Sequence, residues 1–107
     1  MSKGKSGNAQ MKEFFTPFLI SDGSNSGTGA EPTAKGTFRY VAYDSRKALI
    51  QAKQQSGAIV RSLPEEYRNP RFTVRLLDQV HTSLHAAEQS IAGYRTKLSR
   101  VLYASSV

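Results

Sequence analysis

Apolar positions along the chain follow three rhythms. Glu13 to Ser21, EFFTPFLIS, is almost continuously apolar and predicts a strand, with Pro17 pointing to an edge position or a bulge because proline donates no ladder hydrogen bond. From Thr37 to Tyr43 the pattern alternates, with Phe38, Tyr40 and Ala42 on one face of a strand and Arg39, Val41 and Tyr43 on the other. Asp44 or Ser45 then caps a helix running to about Ser56, with Ala48, Leu49 and Ala52 on one side and Gly57 as its stop. AIVRSL, Ala58 to Leu63, reads as a further strand ended by Pro64, so that strand, helix and strand make a right-handed crossover with parallel strands. Beyond the turn-rich PEEYRNPR, Pro64 to Arg71, the third rhythm begins. Leu77, Val80, Leu84, Ala87, Ile91, Tyr94, Leu98 and Val101 recur at steps of three and four. They predict a helix of roughly 25–28 residues, about 40 Å long, that packs on its own sheet or pairs with a helix of another chain.

These elements predict an α+β fold with a small three-stranded sheet, one crossover helix and a long C-terminal helix. In chain order they divide into a flexible basic tail, 1–12, an α/β domain, 13–73, and the long helix, 74–107. Within the domain, residues 22–36, DGSNSGTGAEPTAKG, have the composition of a flexible loop. A chain of 107 residues has room for one small domain, and 38% apolar content without tryptophan gives it a modest core that a partner would help to stabilise.

Charge narrows the partner. Fifteen Lys and Arg against eight Asp and Glu leave +7, which suits nucleic acid or an acidic protein surface. The excess centres on residues 37–63, which hold five cations and one carboxylate. The start of the chain has only a brief apolar patch interrupted by Pro17, which predicts neither a secretory signal nor a membrane span. Without cysteine there is no disulfide, thiolate or Cys-ligated zinc chemistry. His81 and His85 have metal-ligand spacing but no third ligand or glutamate follows in a zincin pattern, Gly27-Thr28-Gly29 lacks the lysine and helix of a phosphate loop, and no Gly-x-Ser-x-Gly elbow carries a nucleophile. Asp44 reads as a helix cap, and Glu65 and Glu66 as turn residues. The expectation is a non-enzymatic protein without metal or cofactor.

Two resemblances follow from the basic aromatic strand. KGTFRYVAY, Lys35 to Tyr43, resembles the signature strand of the RNA-recognition motif when Thr37 is treated as an insertion. That resemblance implies base stacking on Phe38 and Tyr40 with Lys35 and Arg39 on phosphates, although Asp22 to Gly36 cannot supply the helix that precedes the signature there. VAYDSRKALIQAKQQSGAIV, Val41 to Val60, is similar to the closing half of the small phycobilisome linker polypeptides, the rod-capping and core linkers. Phe38, Val41 and Tyr43 match that family's aromatic strand, Gln51 its helix glutamine, and Gly57, Ile59 and Val60 its last strand, while Ala42 stands in place of the usual proline.

The linker resemblance implies a structural protein lodged in an acidic phycobiliprotein ring, at the cytoplasmic or stromal face of the thylakoid membrane and without membrane insertion. Arg39, Arg46, Lys47, Lys53 and Arg61 would meet carboxylates, and Phe38, Tyr40, Tyr43 and Tyr67 would anchor in pockets or sit near a chromophore. A small RNA- or single-strand-binding protein, and a phage or organelle assembly protein joined through the heptad helix, are the alternatives.

Overall fold

The computed structural model describes residues 10–23 and 31–107. Strands β1 (Lys12–Asp22), β2 (Ala34–Ala42), β3 (Phe72–Leu76) and β4 (Val101–Ser105) form one mixed sheet in the order β3-β1-β2-β4. Its helices are α1 (Ser45–Gln54), α2 (Gly57–Ser62) and α3 (Leu84–Ser90). β1 pairs antiparallel with both β2 and β3, and β2 pairs parallel with β4.

The near-continuous apolar run of β1 follows from its central place, which buries it on both faces. Phe14, Thr16, Phe18 and Ile20 join Phe38, Tyr40 and the helices in the larger core, whereas Leu19 packs with Leu77 and Ile91 in a smaller cluster on the other side. α1 and α2 cover the first face and α3 the second, so the sheet is sandwiched.

Pro17 is accommodated by a bulge in the facing segment rather than by an edge. Its carbonyl accepts from the Leu77 N–H at 2.9 Å, and Phe15 exchanges both backbone bonds with His81. Asp78, Gln79 and Val80 therefore stand opposite Thr16 alone, and the side on which proline offers no donor is the bulged side. Thr16 Oγ1 fills the gap by donating to the Gln79 carbonyl at 2.7 Å, and it also bonds the buried Tyr40 hydroxyl at 2.7 Å. On the next ladder pair Phe18 lies over Gly36, where a Cβ would sit 2.5 Å from the ring and 2.7 Å from the Leu102 carbonyl. Only glycine allows β1, β2 and β4 to close on that ring.

Asp44 caps α1 as the sequence predicts, its Oδ1 accepting from the Lys47 N–H at 3.0 Å, and Ala48 and Ala52 let the helix approach the sheet closely. Three expectations are overturned. The sheet has four strands, not three. Ala58 to Leu63 is helical where a strand was predicted: Ala58, Ile59 and Leu63 turn inward while Val60 and Arg61 face out, which a two-residue repeat cannot produce. The crossover still exists, but it runs from β2 through α1 and α2 to β3, parallel strands separated by β1.

The long C-terminal helix is replaced by β3, α3 and β4. Its eight apolar positions are distributed over both sides of the sheet, with Leu77 and Ile91 in the smaller cluster and Val80 and Leu98 against the larger one. Ser83 starts a fresh helix by accepting from the Ala86 N–H at 3.1 Å. A lysine from β2 ends it: buried Lys35 Nζ donates to the carbonyls of Ile91 at 2.9 Å, Ala92 at 3.4 Å and Tyr94 at 3.0 Å. That charge just past the helix C-terminus satisfies the carbonyls of the closing turn and complements the dipole. Residues 1–9 of the expected tail and 24–30 of the expected loop lie outside the described residues, but Lys12 and Asp22 belong to β1, and Ala34, Lys35 and Gly36 to β2.

Candidate functional site

The residues expected to meet a partner separate into three environments. Phe38 and Tyr40 have no exposed surface, and Tyr67 is buried under the sheet's end beside Phe72, ring centroids 5.6 Å apart. Phe38 and Tyr40 stack on each other at 5.5 Å within the helix-covered core, so neither offers a face to a nucleic-acid base or a partner pocket. Burial raises the pKa of the Tyr40 phenol, against its bond from Thr16, and burial, helped by Glu66 and opposed by Arg100, raises that of Tyr67.

Arg39 projects from the opposite face of β2. The neighbouring Glu13 carboxylate pairs with it and raises its pKa further, and the Tyr103 hydroxyl nearby acts in the same direction. This row crosses β1, β2 and β4 and ties the guanidinium within the molecule. Tyr43 is exposed just past β2, with its N–H donating to Gln51 Oε1 at 3.1 Å.

The remaining four candidates, Arg46, Lys47, Lys53 and Arg61, are all exposed on the outer surface of α1 and α2. Residues 45–64 contain these four cations and no carboxylate. Asp44, just before them, is committed to capping: the Lys47 N–H is the main cause of its lowered pKa, and its contact with Arg46 is long, 4.0 Å, and exposed. Two aliphatic side chains missed by the sequence reading stand among the cations, Ile50 at 62% exposure and Val60 at 39%. Ile50 lay in plain view, because a helix burying Ala48 and Ala52 must present it to solvent. Val60 was hidden by the strand assignment.

A groove of about 600 Å³ adjoins this surface, where the junction of α1 and α2 faces β3. Lys53, Ser56, Gly57 and Val60 form one wall, and Val74, Arg75, Leu76 and Asp78 the other. A shallower hollow of about 430 Å³ lies at the opposite edge, between Ser62–Pro64 and Arg100–Tyr103.

His81 is half-buried, bonded through Nε2 to Gln79 Oε1 at 3.0 Å, while His85 is exposed on α3. Among the described residues no group of three His, Cys, Asp or Glu is placed to hold a metal ion, and no helix is long and apolar enough to cross a membrane. No protein family, curated protein or solved structure matches the chain.

Proposed function

We propose that the chain is a non-catalytic assembly module that docks on an acidic host through the outer surface of α1 and α2. The observation that carries this reading is the choice of charge at the start of α1. Its first turn holds Arg46 and Lys47 and no acidic residue. The helix dipole favours carboxylates there, so each cation forgoes about 0.3–1 kcal/mol of folding stability. Residues that break a local rule in this way concentrate where a function demands them. Lys53, Arg61 and the exposed Ile50 and Val60 extend the patch, which thus joins apolar contact area to a positive field.

An acidic phycobiliprotein ring, the host implied by the linker resemblance, is the first partner to try; Gly57, Ile59 and Val60, which matched that family's last strand, lie on α2 here. Nucleic acid is the competing polyanion, and with Phe38 and Tyr40 enclosed it would have to be held by phosphate contacts alone.

Co-sedimentation of the full chain with isolated phycobiliprotein rings, alongside anisotropy with single-stranded RNA and duplex DNA over a salt series, separates the two. The reading expects retention on the acidic protein, lost in an Arg46→Glu, Lys53→Glu double variant that remains folded. Tighter binding to RNA or DNA than to acidic protein, or retention unaffected by the double variant, would overturn it.

A further inference from the structure

We infer that the groove beside β3 receives an extended peptide with acidic and apolar residues, which adds to the sheet as a further strand. The inference rests on the docking reading above and names the form in which the partner enters.

β3 is an edge strand, and its pairing fixes which backbone groups it offers. Leu77 donates to Pro17, and the Arg71 carbonyl accepts from Gly23 at 2.6 Å, so odd-numbered residues of this stretch turn their backbone groups to β1. Phe72, Val74 and Leu76 consequently turn theirs outward, with the Phe72 N–H donating locally to the Asn69 carbonyl at 2.9 Å. Val74 and Leu76 are left as the segment where an added strand finds donors and acceptors, and the same two residues line the groove. No proline or bulge interrupts β3 itself, and among the described residues no strand pairs with its outer side, although the strand is short and carries Arg75.

The opposite edge differs. There the Ser62 hydroxyl donates to the Ser105 carbonyl at 2.9 Å, and the Ser105 N–H approaches the same oxygen at 3.5 Å, closing the end of β4.

Side chains set the chemistry of the guest. A strand beside β3 directs alternate residues toward the face covered by α1 and α2, where Val60, Val74 and Leu76 provide apolar contact and Lys53 supplies positive charge, while Arg75, opposite Leu19, meets residues of the guest that turn to the other face. Asp78 lies on the same wall as Arg75, beyond Leu76, and disfavours a carboxylate at that end. The guest is therefore acidic where it passes Lys53 and uncharged near Asp78.

The test uses the full chain and a labelled peptide of alternating valine and glutamate ending in uncharged residues, with a control of identical sequence N-methylated on alternate residues to remove strand pairing. The expected result is saturable binding of the first peptide, about tenfold or greater weakening by N-methylation, and amide exchange slowed at Val74 and Leu76. In Val74→Pro, which removes an outward N–H and leaves the β1 ladder intact, binding should weaken comparably; amide exchange of β1 and β2 verifies that this variant is folded. Equal binding of the N-methylated peptide, protection at Tyr103 in place of Val74, or no binding at all would overturn the inference. If the rings or another acidic protein are still retained through Arg46 and Lys53 in that event, the docking reading stands without it.

Discussion

The two faces of the sheet use positive charge in opposite ways. On the face covered by α3, Lys35 is buried and gives its hydrogen bonds to three carbonyls at the end of that helix. On the face covered by α1 and α2, Arg46, Lys47, Lys53 and Arg61 point to solvent, and two of them occupy a helix turn where cations are unfavourable. A buried ammonium is tolerable only where acceptors replace its water shell, and an ordered helix end supplies them. Lys53 and Arg61 lie in the last turns of their helices, where the dipole favours a cation, but Arg46 and Lys47 have no such internal use, which leaves the demand for them to come from outside the chain. Arg39, Arg68 and Arg71 are not buried but also have partners within the molecule: Arg39 pairs with Glu13, Arg68 donates to the Leu63 carbonyl at 3.2 Å, and Arg71 meets Asp22 at 3.5 Å.

The contrast breaks first at Phe38. Phe38→Ala should lower unfolding stability by about 4 kcal/mol in a urea titration, since it empties the centre of the larger core; a loss below about 1 kcal/mol would mean that this aromatic is a surface anchor after all. Lys35→Met retains the stem but strips the three carbonyls of their donor, and should cost about 2–3 kcal/mol with faster exchange at the end of α3. A change limited to the surface range would make Lys35 equivalent to the outer cations.

Alkaline titration sharpens the account of the core. Burial raises the folded-state pKa of Tyr40 and Tyr67 above the ordinary 10.0, so the folded protein retains phenolic protons that the unfolded chain releases. Their contribution is complete below pH 10 and declines, by at most about 1.4 kcal/mol per pH unit for each group, as the pH rises through the folded values. A Tyr40→Phe, Tyr67→Phe double variant should lose that part of the slope. The smallest effect is the most informative about function. Arg46→Glu with Lys47→Glu should raise stability by about 1 kcal/mol, because carboxylates replace cations at the positive end of the dipole, while removing binding to the acidic host. A clear destabilisation would show that the two cations have a structural purpose.

The first half of the chain was legible because its signals are local. Apolar continuity marked β1, alternation marked β2, and Asp44 with Ala48 and Ala52 marked α1. The second half misled for the opposite reason. Leu77 to Val101 repeats at helical steps, yet Leu77, Ile91 and Leu98 are drawn to different sides of the sheet by contacts with Leu19 and the larger core, and Lys35, some 56 residues before Ile91, ends the helix. No window along the sequence contains both members of those pairs. The site divides the same way: the exposed cations were visible as the positive excess of residues 37–63, whereas the groove required knowing that β3 exists and which of its edges faces outward.

Pro17 has one more consequence. In the native arrangement its missing donor faces the bulge, where Thr16 and Gln79 have filled the vacancy. Were the β1–β2 hairpin to anneal one step out of alignment, the same proline would confront β2, leaving an acceptor there stranded while Phe14, Phe18 and Ile20 swapped sides. A single imino acid thus penalises the slipped hairpin twice over, once through the ladder and once through the core.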